Sequence, residues 1–150
     1  SKDDTVLDLF CGLGNFTLAI AGQCKQVIGI ESSDAMVHRG AENAEYNKIA
    51  NTQFYKADLC DSNMDKAWFS IPFTKVLLDP PRSGAIEIIQ QIVDLRVSKI
   101  VYVSCNPATL ARDAKFLVGK GYRLKSAGVM DMFPHTAHVE SMAEFELVDV

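Results

Sequence analysis

The turn from strand to helix that decides the fold lies in Ile100-Val101-Tyr102-Val103-Ser104-Cys105-Asn106-Pro107-Ala108-Thr109-Leu110-Ala111-Arg112-Asp113. Ile100 to Val103 is a short, continuous apolar run, the pattern of a strand buried on both faces. Asn106 is a good N-cap, and Pro107 suits the first helical position. Leu110, Ala111, Ala114, Leu117 and Val118 then recur at helical spacing, and Gly119 and Gly121 mark the stop. Cys105 is therefore expected at the carboxyl end of a strand, just ahead of a helix N-terminus. Open α/β sheets bind their ligands there, and the positive end of a helix favours thiolate over thiol. An arbitrary cysteine is more often a small core residue; this placement weighs against that reading.

Outward from this stretch, strands and helices alternate. Thr5 to Phe10 reads as a first strand, Cys11-Gly12-Leu13-Gly14-Asn15 as a glycine turn, and Phe16 to Ala21 as the start of a helix. Gln26 to Ile30 is a second strand, closed by Glu31, and Ser33 or Asp34 caps a helix reaching about Tyr46. Thr52 to Ala57, followed by Asp58, is a third strand. Lys75 to Leu78 is a fourth, ending in Asp79-Pro80-Pro81-Arg82. Ala85, Ile88, Ile89, Ile92 and Val93 form a helical stripe. Tyr122 to Met130 and Ala143 to Val148 alternate partly and read as two late strands, one antiparallel at a sheet edge. Asp61 to Pro72 reads as a variable connection in which Trp68 and Phe69 pack locally. The pattern predicts a doubly wound, mostly parallel sheet with right-handed crossovers.

Composition narrows the function. With 48% hydrophobic and 23% charged residues, the chain is an ordinary globular domain. At 150 residues it is expected to be a single domain, residues 1–150. No apolar run approaches roughly 18 residues, so no membrane span is expected. Ser1-Lys2-Asp3-Asp4 is not a signal peptide, and a strand pattern follows at once, which suggests a domain cut from a longer chain. The 4 cysteines lie far apart with no C-x-x-C pair, arguing against a zinc or disulfide framework and for a reducing cytoplasm. A net charge of −4 is unlike a free-standing nucleic-acid binder, but it leaves room for an enzyme whose basic grip lies elsewhere in a parent chain.

A strand, a glycine turn, a helix and an acidic residue closing the next strand make a nucleotide-cofactor pattern. Glycines let the backbone approach a ligand, and Glu31 can accept hydrogen bonds from both ribose hydroxyls. A dinucleotide fingerprint needs a third glycine three residues after the second, and Thr17 stands there instead. This argues against a nicotinamide oxidoreductase. S-adenosylmethionine has no diphosphate to cradle and carries a sulfonium cation. Asp8, Glu31, Asp58 and Asp79, near strand carboxyl ends, are expected to form an acidic rim suited to it. Each alone could be a plain helix cap.

Asp79-Pro80-Pro81-Arg82 is either a strand terminator or a rigid wall for a flat base. Arg82 stands where adenine-N6 enzymes of this fold carry an aromatic residue, which points away from exocyclic-amine chemistry. In Phe133-Pro134-His135-Thr136-Ala137-His138-Val139-Glu140-Ser141, a metal site from His135, His138 and Glu140 lacks a convincing further ligand, so no metal is expected. His38 reads as a solvated or capping helix residue.

Taken together, Asp8 to Phe16, Leu78-Asp79-Pro80-Pro81-Arg82-Ser83-Gly84, Ser104-Cys105-Asn106-Pro107 and Phe133 to Glu140 resemble the RNA uracil-C5 methyltransferases over nearly the whole chain. Ala108 to Asp113 and Glu140-Ser141-Met142 are most similar to the branch acting on large-subunit ribosomal RNA, with the transfer-RNA branch as the alternative. The resemblance implies a Rossmann-like, class I S-adenosylmethionine-dependent methyltransferase fold with an antiparallel edge strand. It makes Cys105 the nucleophile and Glu140 the general base, and assigns Phe10, Asn15, Glu31, Asp58 and Asp79 to S-adenosylmethionine. Longer members add an N-terminal RNA-binding barrel, sometimes an iron–sulfur cluster, and an upstream cofactor-site glutamine, none of which is in these 150 residues. A cofactor-binding fragment without turnover, or a methyltransferase of the same fold with another substrate and a structural Cys105, are the competing readings.

Overall fold

Buried, β-branched and leucine-rich segments alternate with amphipathic ones, and the chain folds accordingly. The computed structural model describes residues 1–61, 67–132, 135 and 139–148. The strands are β1 (Thr5–Leu9), β2 (Gln26–Glu31), β3 (Thr52–Lys56), β4 (Lys75–Leu78), β5 (Lys99–Ser104), β6 (Tyr122–Met130) and β7 (Glu140–Leu147). The helices are α1 (Asn15–Ala21), α2 (Asp34–Tyr46), α3 (Ile86–Ile92) and α4 (Pro107–Gly119), with short 3-10 turns at Ala67–Ser70 and Val93–Leu95. The strands form a seven-stranded, mostly parallel sheet with an antiparallel edge. The chain divides into two compact units, Ser1–Val76 and Leu77–Val150.

In the first unit the strand order is β3-β2-β1, all parallel, with Leu7 opposite Ile28 and Ile28 opposite Gln53. Every residue of β1 is buried, as a parallel strand covered on both faces requires. Leu7, Leu9, Val27, Ile28 and Ile30 are fully enclosed, each stabilising by roughly 1.5–3 kcal/mol. The first strand is one residue shorter than its apolar run suggests, because Phe10 adopts φ +64° and leaves the β region. Ser33 caps α2, its Oγ accepting from the Met36 N–H. Asp4 is buried ahead of β1, where Lys75 Nζ at 2.6 Å and Thr74 Oγ1 at 2.9 Å donate to it. Lys75 above all holds this carboxyl below the usual range. Trp68 is buried and packs on Phe69 at 4.4 Å between ring centroids, the local packing expected there.

In the second unit β7 lies between β5 and β6 and pairs antiparallel with both. It begins at Glu140, three residues before the alternating stretch seen in the sequence, so Glu140 belongs to the strand and not to the polar segment before it. Ile100 pairs with Phe145 and Tyr102 with Ala143, all buried. β6 is the outermost strand, and of its residues only Tyr122 is buried. Its edge carries Arg123 and Lys125, both paired with Glu146. Charges of this kind discourage edge-to-edge association, while exposed pairs add little stability. Asn106 caps α4 as expected, its Oδ1 accepting from the Ala108 N–H at 3.1 Å, with Pro107 at the first turn.

One close contact yields a test. A Cβ added at Gly40 of α2 would lie 2.7 Å from Phe54 Cε1. On an open helix Gly→Ala gains roughly 1 kcal/mol, but overpacking costs about 1–3 kcal/mol, so the sign reverses here. Gly40→Ala is expected to lower stability in urea denaturation, and Gly40→Ala with Phe54→Leu to recover most of the loss.

Candidate active site

The first unit contributes loops at the carboxyl ends of its strands. After Phe10 turns out of β1, the Cys11 N–H donates to Ile30 O at 3.1 Å and the Gly14 N–H to Cys11 O at 2.9 Å, closing the glycine turn. The Gly12 N–H donates to Glu31 Oε2 at 3.2 Å. Glu31 Oε1 accepts from the Ser32 N–H at 2.8 Å, the Ser32 hydroxyl at 3.0 Å and the Ser33 N–H at 3.0 Å. The half-buried Glu31 carboxylate is thus fixed in orientation before any ligand arrives. Asn15 opens α1 and is exposed; Asp58 is exposed after β3, with its Oδ1 accepting from the Cys60 N–H at 3.0 Å.

Two neighbours of this loop are internal. Asp8 was expected on an acidic rim, but it is fully buried within β1 and accepts from the Thr17 hydroxyl at 2.6 Å. It braces α1 against β1 from beneath, which also gives Thr17 its own structural reason. The Cys11 thiol is buried and pushed up to about 12, first by burial and then by the charges of Asp8 and Glu31. Of the sequence's cysteines, this one is inert as a nucleophile.

The second unit gathers Asp79, Cys105 and Glu140. Cys105 follows β5 directly, is half-buried, and immediately precedes the N-cap of α4. The last pair of the β5–β7 register is Ser104 with Ser141, so Cys105 and Glu140, the first residue of β7, each adjoin that pair in sequence. Asp79 is half-buried just after β4, and its carboxyl is raised, first by burial and then by the Glu140 charge.

These loops are held by a network that sequence reading did not single out. Asp113 is fully buried in α4. Its Oδ2 accepts from the Ala85 N–H at 2.8 Å and the Tyr102 hydroxyl at 2.7 Å, and its Oδ1 from Arg112 Nε at 2.8 Å. Burial and this carboxylate raise the Tyr102 hydroxyl above its ordinary range. Gly84, at φ +86°, has no room for a Cβ, which would sit 2.5 Å from Arg112 Nη2. Higher on the same helix end, Asn106 Nδ2 and Thr109 Oγ1 both donate to Arg82 O, at 3.0 and 3.3 Å. The segment after Asp79 and the segment after Cys105 are therefore tied together. The available signal was Asp113 itself, a charged residue three after Leu110 and four before Leu117 on the helix's apolar stripe.

Comparison with known proteins bears on what this arrangement is for. Residues 1–146 match the family described as tRNA (uracil-5-)-methyltransferase. The chain belongs to this family. It is 57% identical over 144 residues to the 23S rRNA (uracil(1939)-C(5))-methyltransferase RlmD of Pseudomonas putida, covering 96% of this chain and 32% of that protein. It is 58% identical to the RlmD of Alcanivorax borkumensis, over 97% of this chain and 33% of that protein. The chain thus spans about a third of the length of these curated relatives. Among solved structures, the Pyrococcus abyssi tRNA (uracil-54, C5)-methyltransferase in complex with S-adenosyl-L-homocysteine superposes with a TM-score of 0.80 at 33% identity, over 95% of this chain and 34% of that one. NSun6 from Pyrococcus horikoshii, at a TM-score of 0.81 and 18% identity over 99% of this chain and 49% of that one, shares the fold. These neighbours support the Rossmann-like class I methyltransferase architecture.

Phe10, Asn15 and Asp58 therefore sit in the first unit outside its strands, with Glu31 closing β2, while Asp79, Cys105 and Glu140 lie in the second, where the Glu140 charge acts on Asp79. Of the segment 133–138, His135 is described, with φ +64°; Phe133, Pro134, Thr136, Ala137 and His138 lie outside the described residues. His38 is exposed on α2 and pairs with Glu42 at 3.3 Å.

Two outcomes follow. Asp113→Asn turns an acceptor into a donor facing donors, at a cost of about 1–3 kcal/mol in urea denaturation. Asp79 has a folded-state pKa above its unfolded value, so folding favours its protonated form. Its unfavourable contribution is absent below the unfolded value and grows as pH rises toward the raised one. Asp79→Asn should raise the urea midpoint at pH 7, and the gain should vanish below about pH 4.

Proposed function

We propose that this chain is the catalytic part of an RNA (uracil-C5)-methyltransferase that methylates carbon 5 of a uridine in 23S ribosomal RNA, in the cytoplasm, with S-adenosylmethionine as methyl donor. The single observation that carries the reading is the half-buried Cys105 between β5 and the capped α4, with Glu140 opening the strand that pairs with β5. The ribosomal substrate is favoured over transfer RNA by the 57–58% identity to RlmD proteins, against 33% to the Pyrococcus abyssi tRNA enzyme. The portion of the relatives beyond the matched third is assigned the remaining RNA grip.

The residues present fit the methyl donor. Glu31 holds a preoriented carboxylate, Asp58 and Asp79 offer further negative charge for a cationic ligand, and a Cβ at Gly12 would meet nothing within 4 Å, leaving open space above the turn. Phe10, Asn15, Glu31, Asp58 and Asp79 are the residues proposed to hold it. When bound, S-adenosylmethionine supplies an electrophilic methyl group on sulfur.

Carbon 5 of uracil is too weak a nucleophile to take that methyl unaided. The Cys105 thiolate adds to carbon 6, and the displaced π electrons form an enolate that loads carbon 5. With the cofactor bound, carbon 5 would take up the methyl group, and the sulfur would leave with the electron pair of the former sulfur–methyl bond. Glu140 accepts the proton from carbon 5, the electron pair re-forms the double bond, and the Cys105 thiolate leaves. Covalent catalysis of this kind divides one difficult step into easier ones. The uridine must leave its stack to reach the cysteine, at a cost of a few kcal/mol.

In the full protein, Cys105→Ala is expected to abolish methyl transfer while leaving S-adenosylmethionine binding largely intact by calorimetry; parallel loss of both contradicts the assignment. Wild-type protein should form a covalent adduct with 5-fluorouridine RNA, and Glu140→Gln should accumulate the adduct with ordinary RNA. A denaturing gel with no RNA-linked band in either case removes the covalent mechanism.

A further inference from the structure

A second surface of the same unit has the chemistry of a polyanion site. Ile86, Gln90, Arg112, Lys115, Phe116 and Lys120 line a groove of about 520 Å³ between α3 and α4. Among the described residues that line it, three are cationic and none is acidic, in a chain whose net charge is −4. Lys115 and Lys120 are exposed and form no ion pair among the described residues, unlike Lys75, Lys99 and Lys125. Arg112 keeps 47% of its side chain exposed although it bonds Asp113 and Ser83. Lys120 Nζ stands 5.4 Å from the centroid of Phe116, a half-buried ring that supplies a stacking floor.

The groove lies along the helix that Cys105 precedes. Pro107, two residues after Cys105, and Phe116 are separated along α4 by about 14 Å at 1.5 Å per residue. At about 3.4 Å per nucleotide along one strand of a base-stacked duplex, that is roughly four steps, and fewer for a more extended strand.

We propose that the α3–α4 groove docks the phosphate backbone of the RNA a few nucleotides from the reacting uridine, with Lys115 and Lys120 neutralising phosphates and Phe116 stacking on a base. The choice of RNA as occupant rests on the function proposed above; the groove's cationic character does not. An occupant with a lone carboxylate would match only one of the two lysines, whereas a phosphate chain complements both.

The test uses the full protein and a short labelled, uridine-containing single-stranded RNA, with binding measured across a salt series. Lys115→Glu and Lys120→Glu should each flatten the slope of log Kd against log salt by about 0.7, the value for one lost phosphate contact on a single strand. Phe116→Ala should weaken binding several-fold with the salt slope unchanged. Lys25→Glu, the same charge change on an exposed residue of the first unit, should leave the slope as it is. If the groove variants behave like Lys25→Glu, the docking site is overturned. Because binding needs no turnover, this failure is distinct from failure of the methylation reading, which would show as a missing 5-fluorouridine adduct while the salt slopes still responded.

Discussion

The Asp113 carboxylate is the constraint on which the second unit depends. It is buried completely, at a place where a polar group left without partners would be costly. Tyr102 from β5, the Ala85 amide ahead of α3 and the adjacent Arg112 converge on it, and Gly84 leaves the space they need. A hydrophobic residue of similar volume could fill the same position, but it could not dictate which backbone amide approaches. The network fixes direction as well as distance, and so aligns the start of α4 with the segment that follows β4. Cys105 and Asp79 each sit a few residues from a point nailed down in this way.

The first unit solves a related problem with backbone. Phe10 takes a left-handed conformation, Gly12 and Gly14 follow with positive φ, and the chain doubles back so that the Gly12 amide faces Glu31. Strained backbone of this kind persists only where the surroundings over-determine it. Here the surroundings are a strand buried throughout and an Asp8–Thr17 hydrogen bond beneath the turn. A carboxylate held by several donors is already oriented, so a ligand hydroxyl meets it without paying for side-chain ordering.

The two half-buried carboxyls of the second unit show the cost of assembling such a site. Burial above all, and then the Glu140 charge, disfavours the charged form of Asp79. Arrangements that disfavour their own charges cluster at functional sites, and a cationic ligand would relieve this one. The tail contributes in the same sense: β7 starts at Glu140, at the end where β5 delivers its cysteine, and runs antiparallel away from it.

Sequence by itself was enough for the alternation of strands and helices, for the N-caps at Ser33 and Asn106, and for the resemblance carried by the motifs around Gly12, Asp79 and Cys105. These are local properties, written in apolar periodicity and in the few residue types that can begin a helix. Only the tertiary structure separated Asp8 from Glu31, Asp58 and Asp79, because an acid near a strand end reads the same whether its side chain turns inward to Thr17 or outward to a ligand. It alone extended β7 back to Glu140, since that strand is defined by partners more than 30 residues away on β5. It also made Asp113 the hub and gathered Lys115 and Lys120 into one groove with Arg112. Hydrogen bonds and charge clusters between distant segments depend on where the chain returns, and no window of neighbouring residues records that.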